Sequence, residues 1–189
     1  MVKLVSLTEK QHYFVNRLIK RRGFEISKKI EGEKEGIVDI HAKSVEKKPK
    51  QTLLIRIILD TPTVGVEILR NTIKERDNGE FSHAILIGGE RYTYAARREA
   101  KEMDVELLHR RFLSIDLFMH DLVPEHDIVE EKEILELEKE YGISREQFPK
   151  IKAGDPAAKA IGARPGDVIL IKRKSETAGK HQVYRFCVA

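Results

Sequence analysis

The sequence predicts an α+β chain made of two parts, an α/β sheet domain over residues 1–120 and a small α+β module over residues 121–189. Three observations carry this. Between residues 9 and 108, strand-like apolar runs alternate with segments of helical period, the pattern of a sheet covered by helices. At residue 121 the composition turns abruptly acidic. Beyond it, a Pro-Gly-Asp turn opens into two apolar runs placed to pair as a hairpin.

The first helix is predicted from Glu9 to Arg22. Thr8 and Gln11 form a capping box, Phe14, Val15, Leu18 and Ile19 recur at helical spacing, and Gly23 follows as a stop. GIVDIHAK, residues 36–43, alternates like a strand. After the polar connector EKKPKQ, LLIRIIL at 53–59 is apolar enough for a strand buried on both faces. A helix over 64–76 carries Val66, Leu69 and Ile73 as its stripe. HAILIGG at 83–89 is a strand ending in a glycine turn. Thr93 caps a helix in which Ala96, Ala100 and Met103 share a face. VELL at 105–108 is a short strand, and RFLSIDLFMH at 111–120 is read as helical.

Residues 121–146 hold ten acidic residues against three basic, and Pro124 argues against one continuous helix through them. Ile134, Leu137 and Tyr141 give this segment a narrow apolar face, ended by Gly142. Asp155 and Pro156 fill the cap and first position of a short helix that Gly162 terminates. Pro165, Gly166 and Asp167 turn the chain into VILIKRK, and HQVYRFCV returns as its partner.

Charge is unevenly shared in this chain of 189 residues and net charge +4. Residues 1–120 carry 23 Lys and Arg against 18 Asp and Glu, a net +5, and residues 121–189 carry 12 against 13, a net −1. The first part is therefore the one suited to lie near a polyanion, the alternative being a solvated basic face. No stretch approaches the roughly 20 apolar residues of a membrane span, and the start lacks the apolar core of a signal peptide. With Cys187 as the single cysteine, neither an internal disulfide nor a Cys-rich zinc site can form. These features predict an intracellular, water-soluble protein, cytoplasmic or, in a eukaryote, nuclear.

The loop RKSETAG, residues 173–179, interrupts the carboxy-terminal hairpin with a cluster of polar groups that could serve catalysis or docking. A nucleophilic Ser175 would need a nearby base, and only Glu176 and the more remote His181 stand close in sequence, with no oxyanion glycine pattern beside them. LVPEH, PKI, the DP pair, PGDV, RKSETAG and the closing YR resemble the carboxy-terminal domain of the smallest assembly subunits of cellular RNA polymerases. These are a short archaeal assembly subunit and the shared fifth subunit of the three eukaryotic enzymes. The resemblance spans residues 122–188, and it implies a docking surface on the largest polymerase subunit. By that resemblance the docking residues are Asp155, Pro156, Pro165, Gly166, Arg173, Ser175, Glu176, Thr177, Gly179, Tyr184 and Arg185.

In the first part, VDI and TVGVEILRN resemble the early strand and a helix start of the jaw domain of the eukaryotic subunit. GGERYTYAARREA resembles the loop and helix that this family points at downstream DNA. The family turn reads Thr-Pro-Ser-Ala, where this chain has Thr93, Tyr94, Ala95 and Ala96. The resemblance makes Arg91, Tyr92, Thr93, Tyr94, Arg97 and Arg98 the DNA-proximal set, and the start of the helix there favours phosphate. Lys20, Arg21 and Arg22, and separately Arg110 and Arg111, could also touch phosphates or could be solvated element ends.

The same half is similar to the restriction-endonuclease-like fold, in which an aspartate on one strand and Glu-x-Lys on the next hold a divalent metal. Asp39 stands at the first position. Leu54 and Arg56 replace the second carboxylate and the lysine, although Glu67 could supply a carboxylate from the following helix. Two readings follow. One is a non-catalytic RNA polymerase subunit, without metal or cofactor of its own, whose partners are the largest subunit, the rest of the polymerase and downstream duplex DNA, with no membrane and no homo-oligomer. The alternative is a metal-dependent DNA nuclease.

Overall fold

The structure, a computed structural model, describes residues 7–31, 36–45, 50–175 and 179–189. The chain forms two compact units, Met1–Ile115 and Asp116–Ala189.

The first unit opens with α1, Glu9–Arg21, started by the Thr8–Gln11 capping box. Three antiparallel strands follow: β1, Phe24–Glu31; β2, Ile37–Ser44; and β3, Thr52–Ile58. A two-residue strand β4, Thr63–Val64, precedes α2, Val66–Asn78, and β5, His83–Gly88. The second short strand β6, Arg91–Tyr92, leads into α3, Tyr94–Glu102, and β7, Val105–Leu108. The main sheet has the order β1-β2-β3-β5-β7, with β3, β5 and β7 parallel; β4 and β6 form a separate parallel pair.

Strand alternation sends side chains to two different cores. Leu53, Ile55 and Ile57 of β3 face α1 with Ile40, Ile85, Ile87 and Leu108. Leu54 and Ile58 face the other way, against Leu69 and Ile73 of α2 and Ala96 and Ala100 of α3. Helices thus cover both faces, which explains why LLIRIIL is almost continuously apolar. Arg56 interrupts it on the α2 face and is nevertheless buried, 7% exposed.

β1 has no counterpart among the strands expected from the sequence. Its register slips between Ile26 and Lys28, and this irregularity erases the alternation by which a strand is recognised. The expected helix over 111–120 is also corrected: the chain makes two 3-10 turns, Arg110–Leu113 and Leu117–Met119. Asp116 accepts a hydrogen bond from the Phe118 N–H, starting a new turn where a continuous helix would have run on.

The second unit is a four-stranded sheet of order β8-β10-β11-β9, formed by β8 Glu125–Ile128, β9 Lys150–Lys152, β10 Val168–Ser175 and β11 Gly179–Val188. α4, Glu131–Tyr141, packs Ile134 and Leu137 with Val168. α5, Pro156–Ile161, packs Ala158 and Ile161 with Ile169, Ile171 and Cys187. Since Val168 and Ile169 are successive residues of β10, the two helices cover opposite faces. Cys187 is fully buried, and burial pushes its thiol pKa up.

Candidate functional site

On β2 and β3, Asp39 and Arg56 are directly opposed, and both side chains project toward α2. The guanidinium grips the carboxylate with two bonds, Nε to Oδ1 at 2.7 Å and Nη2 to Oδ2 at 2.6 Å. The side chains are 13% and 9% exposed. The fold pairs these two residues away from the sheet edges. Asp39, Arg56, His41 and Glu67 line one cavity of about 850 Å³ with Glu75 and Lys74. The fold therefore does bring Asp39 and Glu67 to the same cavity. Both Asp39 oxygens are already taken by a fixed cation, however, and Leu54 contributes no ligand. Among the described residues no three His, Cys, Asp or Glu side chains are grouped to hold a metal ion. Burial lowers the pKa of His41, with Asp39 opposing that shift.

The expected DNA-proximal residues fall on β6 and the first turns of α3. The backbone reverses after β5 through Gly89 at φ +60°, where an added Cβ would lie 3.0 Å from the Pro62 carbonyl. Arg91 emerges exposed from this turn. Thr93 accepts from the Ala96 N–H and caps α3. Tyr94 is 76% exposed, and Arg97 and Arg98 stand exposed on the same helix.

The Tyr92 side chain, by contrast, belongs to the core. It is 7% exposed, and its hydroxyl donates to the Leu108 carbonyl at 2.6 Å, with the Leu86 carbonyl 3.0 Å away, while accepting from the Gly88 N–H at 3.1 Å. One side chain thus ties the ends of β5 and β7 together, and burial raises its pKa well above the ordinary range. The tyrosine sits on β6 with its ring turned inward, opposite in sense to Arg91, as strand alternation requires.

Other cations are sorted by the fold. Arg22 holds Glu106 through two bonds of 2.6 and 2.8 Å and is a structural residue. Arg70 of α2 holds Glu99 of α3. Arg110 and Arg111, by contrast, join Arg91 and His109 around a cavity of about 600 Å³ beyond β5 and β7. The sequence showed two arginines after a strand, but only the parallel pairing of β5 with β7 puts them beside Arg91.

In the second unit, Asp155 caps α5 by accepting from the N–H groups of Ala157 and Ala158, with Pro156 at the first position. Pro165 is exposed, and Gly166 at φ +103° donates its N–H to the Cys187 carbonyl. Arg173 is exposed on β10 opposite His181, and the hairpin closes from Ser175 to Gly179, which has φ +69°. Glu176 and Thr177 lie outside the described residues. Tyr184 packs on Phe148 with ring centroids 6.0 Å apart, and Arg185 donates to the Lys150 carbonyl at 3.2 Å. Asp155, Gly166 and Gly179 thus shape the backbone, while Pro165 and Arg173 present exposed surface.

Residues 115–187 match the family described as RNA polymerase Rpb5, C-terminal domain, and residues 8–114 match the family described as restriction endonuclease. The chain is 58% identical to DNA-directed RNA polymerase subunit Rpo5 of Thermococcus kodakarensis over 73 residues, 39% of this chain and 89% of that subunit. It is 32% identical over 135 residues to subunit rpabc1 of DNA-directed RNA polymerases I, II, and III of Dictyostelium discoideum, 68% of each chain. Among solved structures, the apo form of EndoMS overlays with a TM-score of 0.42 at 16% identity, over 57% of this chain and 47% of that one.

Proposed function

Because the chain belongs to the Rpb5/Rpo5 family of DNA-directed RNA polymerase subunits, with a restriction endonuclease family domain as its first unit, we propose that it serves transcription without catalysing a reaction itself. In this reading the second unit anchors the chain to the largest polymerase subunit through Pro165, Arg173 and the residues that follow up to 179. The first unit lies along downstream duplex DNA as part of the jaw. Arg91, Arg97 and Arg98, with the amino terminus of α3, give it a cationic face that holds phosphates and reads no sequence.

The observation that carries this reading is the extent of the eukaryotic match. Its 135 residues exceed the 74 of the second unit, so the similarity runs on into the first unit. The Asp39–Arg56 pair supports the non-catalytic role, because Arg56, which does not readily give up a proton, replaces the lysine that would orient water and takes both oxygens of the aspartate that would hold the metal.

The test is native affinity purification through a tag on this chain, with co-eluting proteins identified and quantified. Stoichiometric recovery of the large polymerase subunits is expected. Recovery of the chain alone, together with magnesium-dependent DNA cleavage abolished by Asp39→Ala, would replace this reading with the nuclease.

A further inference from the structure

We propose that the concavity beyond the carboxyl ends of β5 and β7 is a grip for consecutive phosphates of a duplex backbone, centred on Arg91, Arg110 and Arg111. It extends the DNA-facing reading above to a site on a second edge of that surface, and it rests on that reading.

The first observation is that the unit pairs several of its other arginines with carboxylates. Arg22 has Glu106, Arg56 has Asp39, Arg70 has Glu99 and Arg76 has Asp77. Arg91, Arg110 and Arg111 have no ion pair with any described residue, although they converge on one cavity of about 600 Å³ where Glu90 is the only carboxylate among the described residues lining it. Three cations set against a single carboxylate leave a net positive site in which like charges repel, so their convergence favours a bound anion.

Position supplies the second observation. The chain leaves β5 at Gly88 and β7 at Leu108, and the cavity begins with the next residues, Gly89 and His109. In open sheets of parallel strands, ligands collect in the crevice outside the carboxyl ends. The wall there is firm: the Tyr92 hydroxyl bridges Gly88 and Leu108, and the Arg110 N–H donates to the Gly89 carbonyl at 3.3 Å. Arg91 and the Arg110–Arg111 pair thus project from two segments fastened to each other.

The exposure of these groups decides what kind of anion suits them. All three arginines and His109 are exposed. Cations left in water suit a hydrated row of phosphates, which binds chiefly by releasing counterions. Ser114, on the rim of the same cavity, adds a hydroxyl donor, and such neutral donors commonly accompany arginine on phosphate oxygens.

The experiment titrates the full-length chain against a short labelled duplex across a range of salt. Each neutralised phosphate contributes about 0.9 to the slope of log K against log salt. Arg110→Ala with Arg111→Ala should lower the magnitude of that slope by about 1.8, and Arg110→Lys with Arg111→Lys should largely retain it. In the unaltered chain the duplex should protect Arg110 and Arg111 from phenylglyoxal, a readout independent of any variant. An unchanged slope in the double alanine variant, while Arg97→Ala with Arg98→Ala lowers it, would overturn the grip and leave the DNA-facing reading standing. No duplex binding by the unaltered chain, even at low salt, would overturn both. Protection of the two arginines by inorganic pyrophosphate but not by duplex would assign the cavity to a small anion and also overturn the grip.

Discussion

Arg56 on β3 holds both carboxylate oxygens of Asp39 on β2, across the register pair that joins the two strands. The pair keeps only about a tenth of its side-chain surface in water. Removing one partner of a buried pair costs about 3–5 kcal/mol, since the other charge is left without compensation. Arg56→Ala should therefore destabilise the first unit by about 3 kcal/mol, and combining it with Asp39→Ala should cost less than the two changes summed. Urea denaturation followed by circular dichroism measures this, the chain having no tryptophan. Additive losses would show that the two charges are energetically independent.

Tyr92→Phe removes one hydroxyl that serves both the Gly88 N–H and the Leu108 carbonyl. Leaving buried backbone groups unsatisfied costs about 1–3 kcal/mol. The expected phenotype is a lowered thermal midpoint with an unchanged salt slope of duplex binding. A changed slope with unchanged stability would return Tyr92 to the DNA surface.

His41 lies edge-on to Phe81, with centroids 4.6 Å apart, and burial lowers its pKa against the opposing pull of Asp39. The folded state therefore binds fewer protons here than the unfolded chain. This contribution to stability is fully present above the ordinary histidine value of about 6.5 and is lost as pH falls through that value toward the lower folded one. The urea midpoint of the first unit should drop as pH is lowered from about 8 to 6, and His41→Gln should flatten the dependence. A rise in the midpoint over that interval would mean that Asp39 dominates.

Arg173 is exposed on β10, and Glu176 follows three residues later in the sequence. Changing both to alanine should release the chain from purified polymerase while its circular dichroism spectrum stays that of the unaltered chain. A double variant that still co-purifies stoichiometrically would remove these two residues from the docking surface.

Helix caps, apolar stripes and the continuous run of β3 were legible in the sequence because each is a local property of a few consecutive residues. Thr8 with Gln11, Thr93 with Ala96 and Asp155 with Pro156 all mark helix starts in the structure. The second unit's family was legible for a related reason, its turns and dipeptides being fixed in order and spacing. β1 was hidden by its bulge, and the helix expected at 111–120 was broken by a single Asp116 hydrogen bond.

The pairing of Asp39 with Arg56 needed the register of β2 against β3, a relation between residues 17 positions apart. The same holds for Tyr92, which reads as a surface tyrosine beside Arg91 until β5 and β7 close around its hydroxyl. Composition and local pattern determined which elements form and which family the chain joins, since those depend on neighbours along the chain. Tertiary pairing decided which charges are spent inside the fold and which three arginines are left to share one cavity, because that depends on neighbours only folding brings together.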